Sequence, residues 1–140
     1  DKLMNLGAEM TLKTTQAIEQ DNIQAQAQPD GPIKHAPKIF KEDGILDFNQ
    51  TVTQVQNRVR GLSPFPAAFT HLDYKILKIF KTEIQMTHED IINGTFDTDQ
   101  KTYFRIKCEN GWLNVLELQL EGKKRMSTID FLKGYRFQEN

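Results

Sequence analysis

The chain has 140 residues, 38% of them hydrophobic and 26% charged, with a formal net charge of −1. That length accommodates one domain with a real core and an appended segment, and the lean apolar fraction leaves room for an unpacked linker. No apolar run reaches bilayer length and no charged-then-apolar leader opens the chain, so a spanning helix is not expected and the cytoplasm is the expected location. Asp1 in place of Met is read as the start of a fragment cut from something longer.

Residues 2–20 carry Leu3, Leu6, Met10 and Ala17 at helical spacing, a narrow apolar stripe with no neighbour in sequence to cover it. Residues 21–33 are rich in Gln, Asn and Asp and close on Pro29-Asp30-Gly31-Pro32, the composition of a linker. A separate domain is expected over 34–140. Asp47 or Asn49 is expected to cap a helix with Val52, Val55, Val59 and Leu62 on its inner face, ended by Gly61 and Pro64. Strands are expected over Phe65–Thr70, Tyr74–Glu83, Ile91-Ile92, Thr95-Phe96, Tyr103–Cys108 and Trp112–Leu120, with Asn110-Gly111 as a hairpin signal. The apolar frame shifts between Val115 and Leu116, which reads as a β-bulge. Ser127 to Asp130 has the character of a capping box and opens a short last helix. Short antiparallel strands flanked by helices predict a mainly β chain built as a small open barrel, an architecture that includes nucleic-acid binders.

The sequence shows no catalytic constellation. His35, His71 and His88 are far apart and have no partner at ligand spacing, so neither a metal nor a catalytic residue is assigned. The eight glycines mark turns rather than a phosphate loop. The single cysteine, Cys108, sits in an alternating run and is expected to be buried rather than reactive. Basic residues are unevenly placed: between 34 and 82 there are eight against four acidic ones, and Lys123-Lys124-Arg125 makes a second cluster. Two readings stay open, a positive patch or a mixed solvated surface.

Candidate phosphate contacts are Lys38 and Lys41, three residues apart around an apolar pair (Ile39 and Phe40) expected to dock on the barrel. Arg58 and Arg60 lie on the polar side of the valine helix, and Lys123, Lys124 and Arg125 follow the last long strand. Tyr103, Phe104 and Trp112 are candidate stacking surfaces, with alternation placing Phe104 in the core and leaving Trp112 undecided.

Three separated motifs carry a family resemblance: Ala36-Pro37-Lys38-Ile39 through Leu46-Asp47-Phe48, Arg58-Val59-Arg60-Gly61-Leu62 through Pro64-Phe65-Pro66-Ala67-Ala68-Phe69-Thr70, and Leu118 through Gly122-Lys123-Lys124-Arg125-Met126. In this order the chain resembles the C-terminal domain of the methionyl-tRNA formyltransferase family, an open OB-like barrel. The resemblance implies formyl transfer from 10-formyltetrahydrofolate to the amino group of Met on initiator Met-tRNA, in translation initiation. It also implies that residues 1–20 are the last helix of a catalytic domain in the same parent chain. Chemistry and co-substrate would belong to that domain, leaving this chain with no cofactor of its own. The resemblance carries Lys38, Lys41, Lys123, Lys124 and Arg136 over as tRNA-facing positions. Phe40 stands where the family has a small hydroxyl residue, Leu46 where it has isoleucine, Ala67-Ala68 where it has Gly-Ala, and Tyr135 where some members have arginine. The alternatives are the corresponding domain of a formyltransferase or hydrolase acting on a small substrate, and a free-standing OB-like nucleic-acid binder.

Overall fold

The computed structural model describes residues 2–32 and 34–137. The chain divides into two units between Ala36 and Pro37. In the first unit, the expected helix forms as α1 (Lys2–Glu19), and none of its residues is buried. Residues 23–32 have no regular secondary structure.

The second unit opens with a single 3₁₀ turn (Glu42–Gly44) and then α2 (Val52–Leu62). The cap of α2 is Thr51, not Asp47 or Asn49. Its hydroxyl accepts the Gln54 N–H at 3.4 Å while Gln54 Oε1 accepts the Thr51 N–H at 3.1 Å, so two orphan donors are satisfied at once. Asp47 instead closes a turn by accepting the Asn49 N–H at 3.0 Å. Val52, Val55, Val59 and Leu62 are all buried, as their spacing requires.

Six strands follow: β1 (Ala68–Leu72), β2 (Lys75–Met86), β3 (Phe96–Thr98), β4 (Phe104–Cys108), β5 (Gly111–Leu120) and β6 (Met126–Ser127). They form one antiparallel sheet ordered β1-β2-β5-β4-β3, with β6 paired to β5, curled into an open half-barrel. The mainly β class and barrel architecture predicted above are therefore present. Ile91-Ile92 is not a strand, and the two-residue β6 has no sequence signal. α3 (Thr128–Gly134) starts at Ser127, whose hydroxyl accepts the Asp130 N–H at 3.1 Å.

The frame shift in β5 is a bulge with a counterpart across the ladder. Ile79 pairs with Leu118, Lys81 with Glu117 and Thr82 with Val115, which leaves Phe80 on β2 and Leu116 on β5 without opposite residues. Both strands turn over at the same level, so Leu77 and Ile79 on one side of the bulge, and Leu113 and Val115 on the other, all reach one core under α2.

The hairpin between β4 and β5 is where Asn110-Gly111 predicts it, for another reason. The turn residues are Glu109 and Asn110, and Gly111 already pairs with Cys108. Gly111 is needed because a Cβ there would meet the Gln85 carbonyl oxygen at 2.6 Å. Asn110 Oδ1 accepts the Val52 N–H at 2.9 Å and so ties the hairpin to the start of α2. Cys108 is buried, and desolvation pushes its thiol up to about 12, which keeps it protonated.

The β3–β4 loop is organised by Asp99, whose Oδ1 accepts the N–H groups of Lys101, Thr102 and Tyr103 at 2.9, 2.7 and 3.1 Å. The Thr102 hydroxyl donates to Oδ2, and these bonds hold the Asp99 carboxyl well below its ordinary value of 3.8. A depressed carboxyl stabilises the fold above its unfolded value, and that contribution disappears as pH falls through the folded one. The gap in thermal midpoint between wild type and Asp99→Asn, present at pH 7, is therefore expected to shrink below pH 3.8. A gap of constant size from pH 7 down to pH 2 would contradict this assignment.

Candidate nucleic-acid interface

Strand alternation and register place a set of side chains on the outer face of the β1-β2-β5 half of the sheet. Phe69 pairs with Lys78 and His71 with Ile76, while Lys78 also faces Gln119, so these five share one surface. The 3₁₀ turn lies on Phe69, with no room for a Cβ at Gly44 between the Ala67 carbonyl at 2.8 Å and the Phe69 ring at 3.0 Å. That packing brings Lys41 over the sheet. A cleft of about 280 Å³ results, lined by Lys41, Ile76, Lys78, Gln119, Glu121 and Gly122. Gly122, at φ +77°, turns the chain so that Lys123 and Lys124 follow immediately and are both exposed.

The predicted basic residues thus separate into two kinds. Lys38, Lys41, Lys123 and Lys124 are exposed, and none of them is in an ion pair among the described residues. Arg58, by contrast, donates through Nε and a terminal nitrogen to the Asp43 carbonyl, the Nε bond being 3.0 Å, and so fastens α2 to the 3₁₀ turn. Arg125 pairs with Glu117 and lies 4.4 Å above the Phe80 ring. Arg136 donates to the Leu132 carbonyl at 2.6 Å, at the end of α3. Arg60 makes only a 3.4 Å contact to Asn57 on the solvent side of α2, across the sheet from Lys78. Lys78 and His71 are the members of the face that sequence reasoning did not assign; the signal for Lys78 was its alternation with Leu77 and Ile79.

Ile39 and Phe40 do not dock on the barrel, contrary to expectation: they are 54% and 57% exposed, and the Lys38 ammonium sits 5.3 Å from the Phe40 ring centre. The Phe40 N–H instead donates to Asp43 Oδ2 at 2.7 Å, which spends the backbone on the turn and leaves the ring outside. Among the stacking candidates, Phe104 is in the core against Phe96 and Phe137. Trp112 is buried on the opposite face of the sheet from that core, under the Arg105 guanidinium at 4.4 Å, with its indole N–H donated to Glu89 Oε2 at 2.6 Å. Lys107, beside it across the ladder, is also buried and gives its ammonium to the Cys108 carbonyl at 2.6 Å. Tyr103 is the most exposed of the three at 37%, with the Arg105 guanidinium 5.2 Å from its ring centre.

The arrangement is a lysine-bearing sheet face with a polar cleft, suited to a polyanion backbone; no group of three or more His, Cys, Asp or Glu side chains able to hold a metal occurs among the described residues. No described helix is long and apolar enough to cross a membrane.

The class to which this half-barrel belongs is the C-terminal domain of formyl transferases. The model of that family, "Formyl transferase, C-terminal domain", matches residues 38–136, and the chain belongs to it. Over its whole length the chain is 42% identical to the methionyl-tRNA formyltransferase of Phocaeicola vulgatus, and over 96% of its length it is 41% identical to that of Dictyoglomus turgidum. It spans 46% and 44% of those relatives, a little under half. The fold also matches HypX from Aquifex aeolicus with a TM-score of 0.62, over 93% of this chain and 24% of that one, at 18% identity.

Proposed function

We propose that this chain is the C-terminal part of a methionyl-tRNA formyltransferase and that its barrel holds the initiator tRNA while a preceding domain does the chemistry. In this reading α1 is the last helix of that catalytic domain, whose surface would cover Leu3, Leu6 and Met10, which are 84%, 51% and 58% exposed. The formyl group would pass from 10-formyltetrahydrofolate to the Met amino group in the catalytic domain, in the cytoplasm. In this reading the residues of the barrel contribute position alone.

The observation that carries the reading is the placing of Lys41 and Lys78 on one cleft, with the exposed Lys123 and Lys124 following directly after Gly122 at its edge, in a chain whose overall charge is −1. Phosphate recognition by lysine gains from counterion release and so depends on salt rather than on base identity. Titration of the chain with initiator tRNA is expected to give a log affinity that falls linearly with log salt, at roughly 0.9 or somewhat less per phosphate neutralised. An elongator tRNA should bind with the same slope. Salt-independent binding, or none at 50 mM salt, would remove the assigned role.

A further inference from the structure

The turn between β1 and β2 breaks a local rule. Asp73 and Tyr74 both have left-handed backbones, φ +46° and +63°. A two-residue turn of that kind ordinarily takes Asn, Asp or Gly, so Asp73 fits it and Tyr74, whose bulkier side chain crowds its own backbone there, does not. A bulky residue at such a φ is a true outlier and signals a demand from outside the turn. Yet Tyr74 packs on nothing, being 103% exposed. Its ring therefore contributes nothing to the fold that would offset the strain.

Asp73 fixes the turn in place, since its carboxylate accepts the hydroxyl of Tyr135. Tyr135 and Lys123 line one cleft of about 210 Å³ together with Leu120, Met126, Asp130, Phe131 and Gly134. The β5–β6 turn is joined to the same end of the sheet by two bonds: the Glu121 N–H to the Ile76 carbonyl at 2.8 Å, and the Ile76 N–H to Glu121 Oε2 at 3.1 Å. The carboxylates of Asp73 and Glu121 are thus each engaged in a hydrogen bond, and that of Asp130 pairs with Lys133 at 2.7 Å. Lys75, Lys123 and Lys124 are exposed, and none forms an ion pair among the described residues. The result is an exposed aromatic ring on a fixed backbone turn, followed at once by Lys75 and tied through Asp73 and Tyr135 to the cleft that Lys123 lines.

That combination is how proteins engage an unstacked nucleotide: the ring takes the base, and the cations take the phosphates on either side. We infer that Tyr74 stacks on an unpaired base of the bound tRNA while Lys75, Lys123 and Lys124 hold its flanking phosphates. The inference rests on the tRNA-holding reading given above and adds a base contact to it. A protein neighbour would be the other user of an exposed ring, but three free lysines favour the polyanion.

The test sets stability against affinity. Tyr74→Gly and Tyr74→Asn relieve the backbone penalty, so the thermal midpoint of the 140-residue chain is expected to rise by about 2–6 °C. Affinity for initiator tRNA is expected to fall roughly tenfold, with the salt slope unchanged because stacking releases no counterions. Tyr74→Phe keeps the ring and should bind like wild type. Lys123→Ala with Lys124→Ala serves as the control and should lower the salt slope by about 1–2. If the lysine variant weakens binding and Tyr74→Gly does not, the base contact is overturned and the ring belongs to a protein neighbour. If the lysine variant changes neither affinity nor slope, the interface reading itself fails.

Discussion

Trp112→Ala is expected to cost the fold about 3–5 kcal/mol, a large share of the roughly 5–15 kcal/mol that holds such a domain together, while leaving the tRNA affinity of the molecules that remain folded unchanged. Leu113 and Val115 point into the main core, so by alternation Trp112 points to the other face, yet it is only 2% exposed. What covers it is the loop from 87 to 95 and the Arg105 side chain. Arg105 is itself held by Asp97 at 2.6 Å, and the loop by the Gly94 N–H to the Lys107 carbonyl at 2.8 Å and the Lys107 N–H to Thr95 at 2.9 Å. Truncation would leave a large cavity, an unpaired Glu89 carboxylate and a buried Lys107 ammonium with less around it. Trp112→Phe keeps most of the apolar contact and loses the 2.6 Å bond to Glu89, so a smaller loss of about 1–2 kcal/mol is expected. Denaturant unfolding of the two variants checks the order. A normally stable Trp112→Ala chain with weakened tRNA binding would mean that the ring is a stacking surface after all.

The second large effect separates the lysines from the arginines. Lys41→Ala with Lys78→Ala is expected to reduce the slope of log affinity against log salt by about 2 and to weaken tRNA binding at 0.1 M salt by roughly tenfold or more. Arg58→Ala and Arg125→Ala should each change the slope by well under one unit. Their guanidinium groups already serve the Asp43 carbonyl and the Glu117 carboxylate, so little free charge is lost with them. Arg58→Ala should instead loosen the 3₁₀ turn, which a small drop in thermal midpoint would register. Equal effects from the arginine and lysine variants would show that the ion pairs open on binding and that the division drawn here does not hold.

Much of the fold was legible because it depends on local periodicity. The valine stripe of α2, the Ser127 cap and the frame shift at Val115 and Leu116 are all short-range patterns, and each forms as expected. Asn110-Gly111 marked the correct hairpin, but its two residues act over long range, one by capping α2 and the other by letting β2 approach. Neither role has a signal in neighbouring residues. The candidate interface was legible as a collection of charges and not as a surface. Whether an arginine is free depends on a backbone carbonyl or a carboxylate that folding delivers: 15 residues back along the chain for Arg58, 8 for Arg125. Lys107 shows the same limit from the other direction, since alternation sends it outward and only the returning loop buries it. Tyr74 could be seen in the sequence as a tyrosine, but its left-handed backbone could not.

The paired bulge has a consequence for what kinds of change this barrel can absorb. Ile79 pairs with Leu118 before it and Thr82 with Val115 after it, an equal advance of three residues on each strand. Losing Phe80 alone, or Leu116 alone, would break that equality and turn half of one strand inside out, presenting its apolar side chains to water. Losing both together would keep the partners in phase but straighten the sheet where it now curls. The two positions are therefore bound in number, whatever residues fill them. Deletions in this part of the chain are survivable only as a matched pair, and even then they would exchange a curved surface for a flat one.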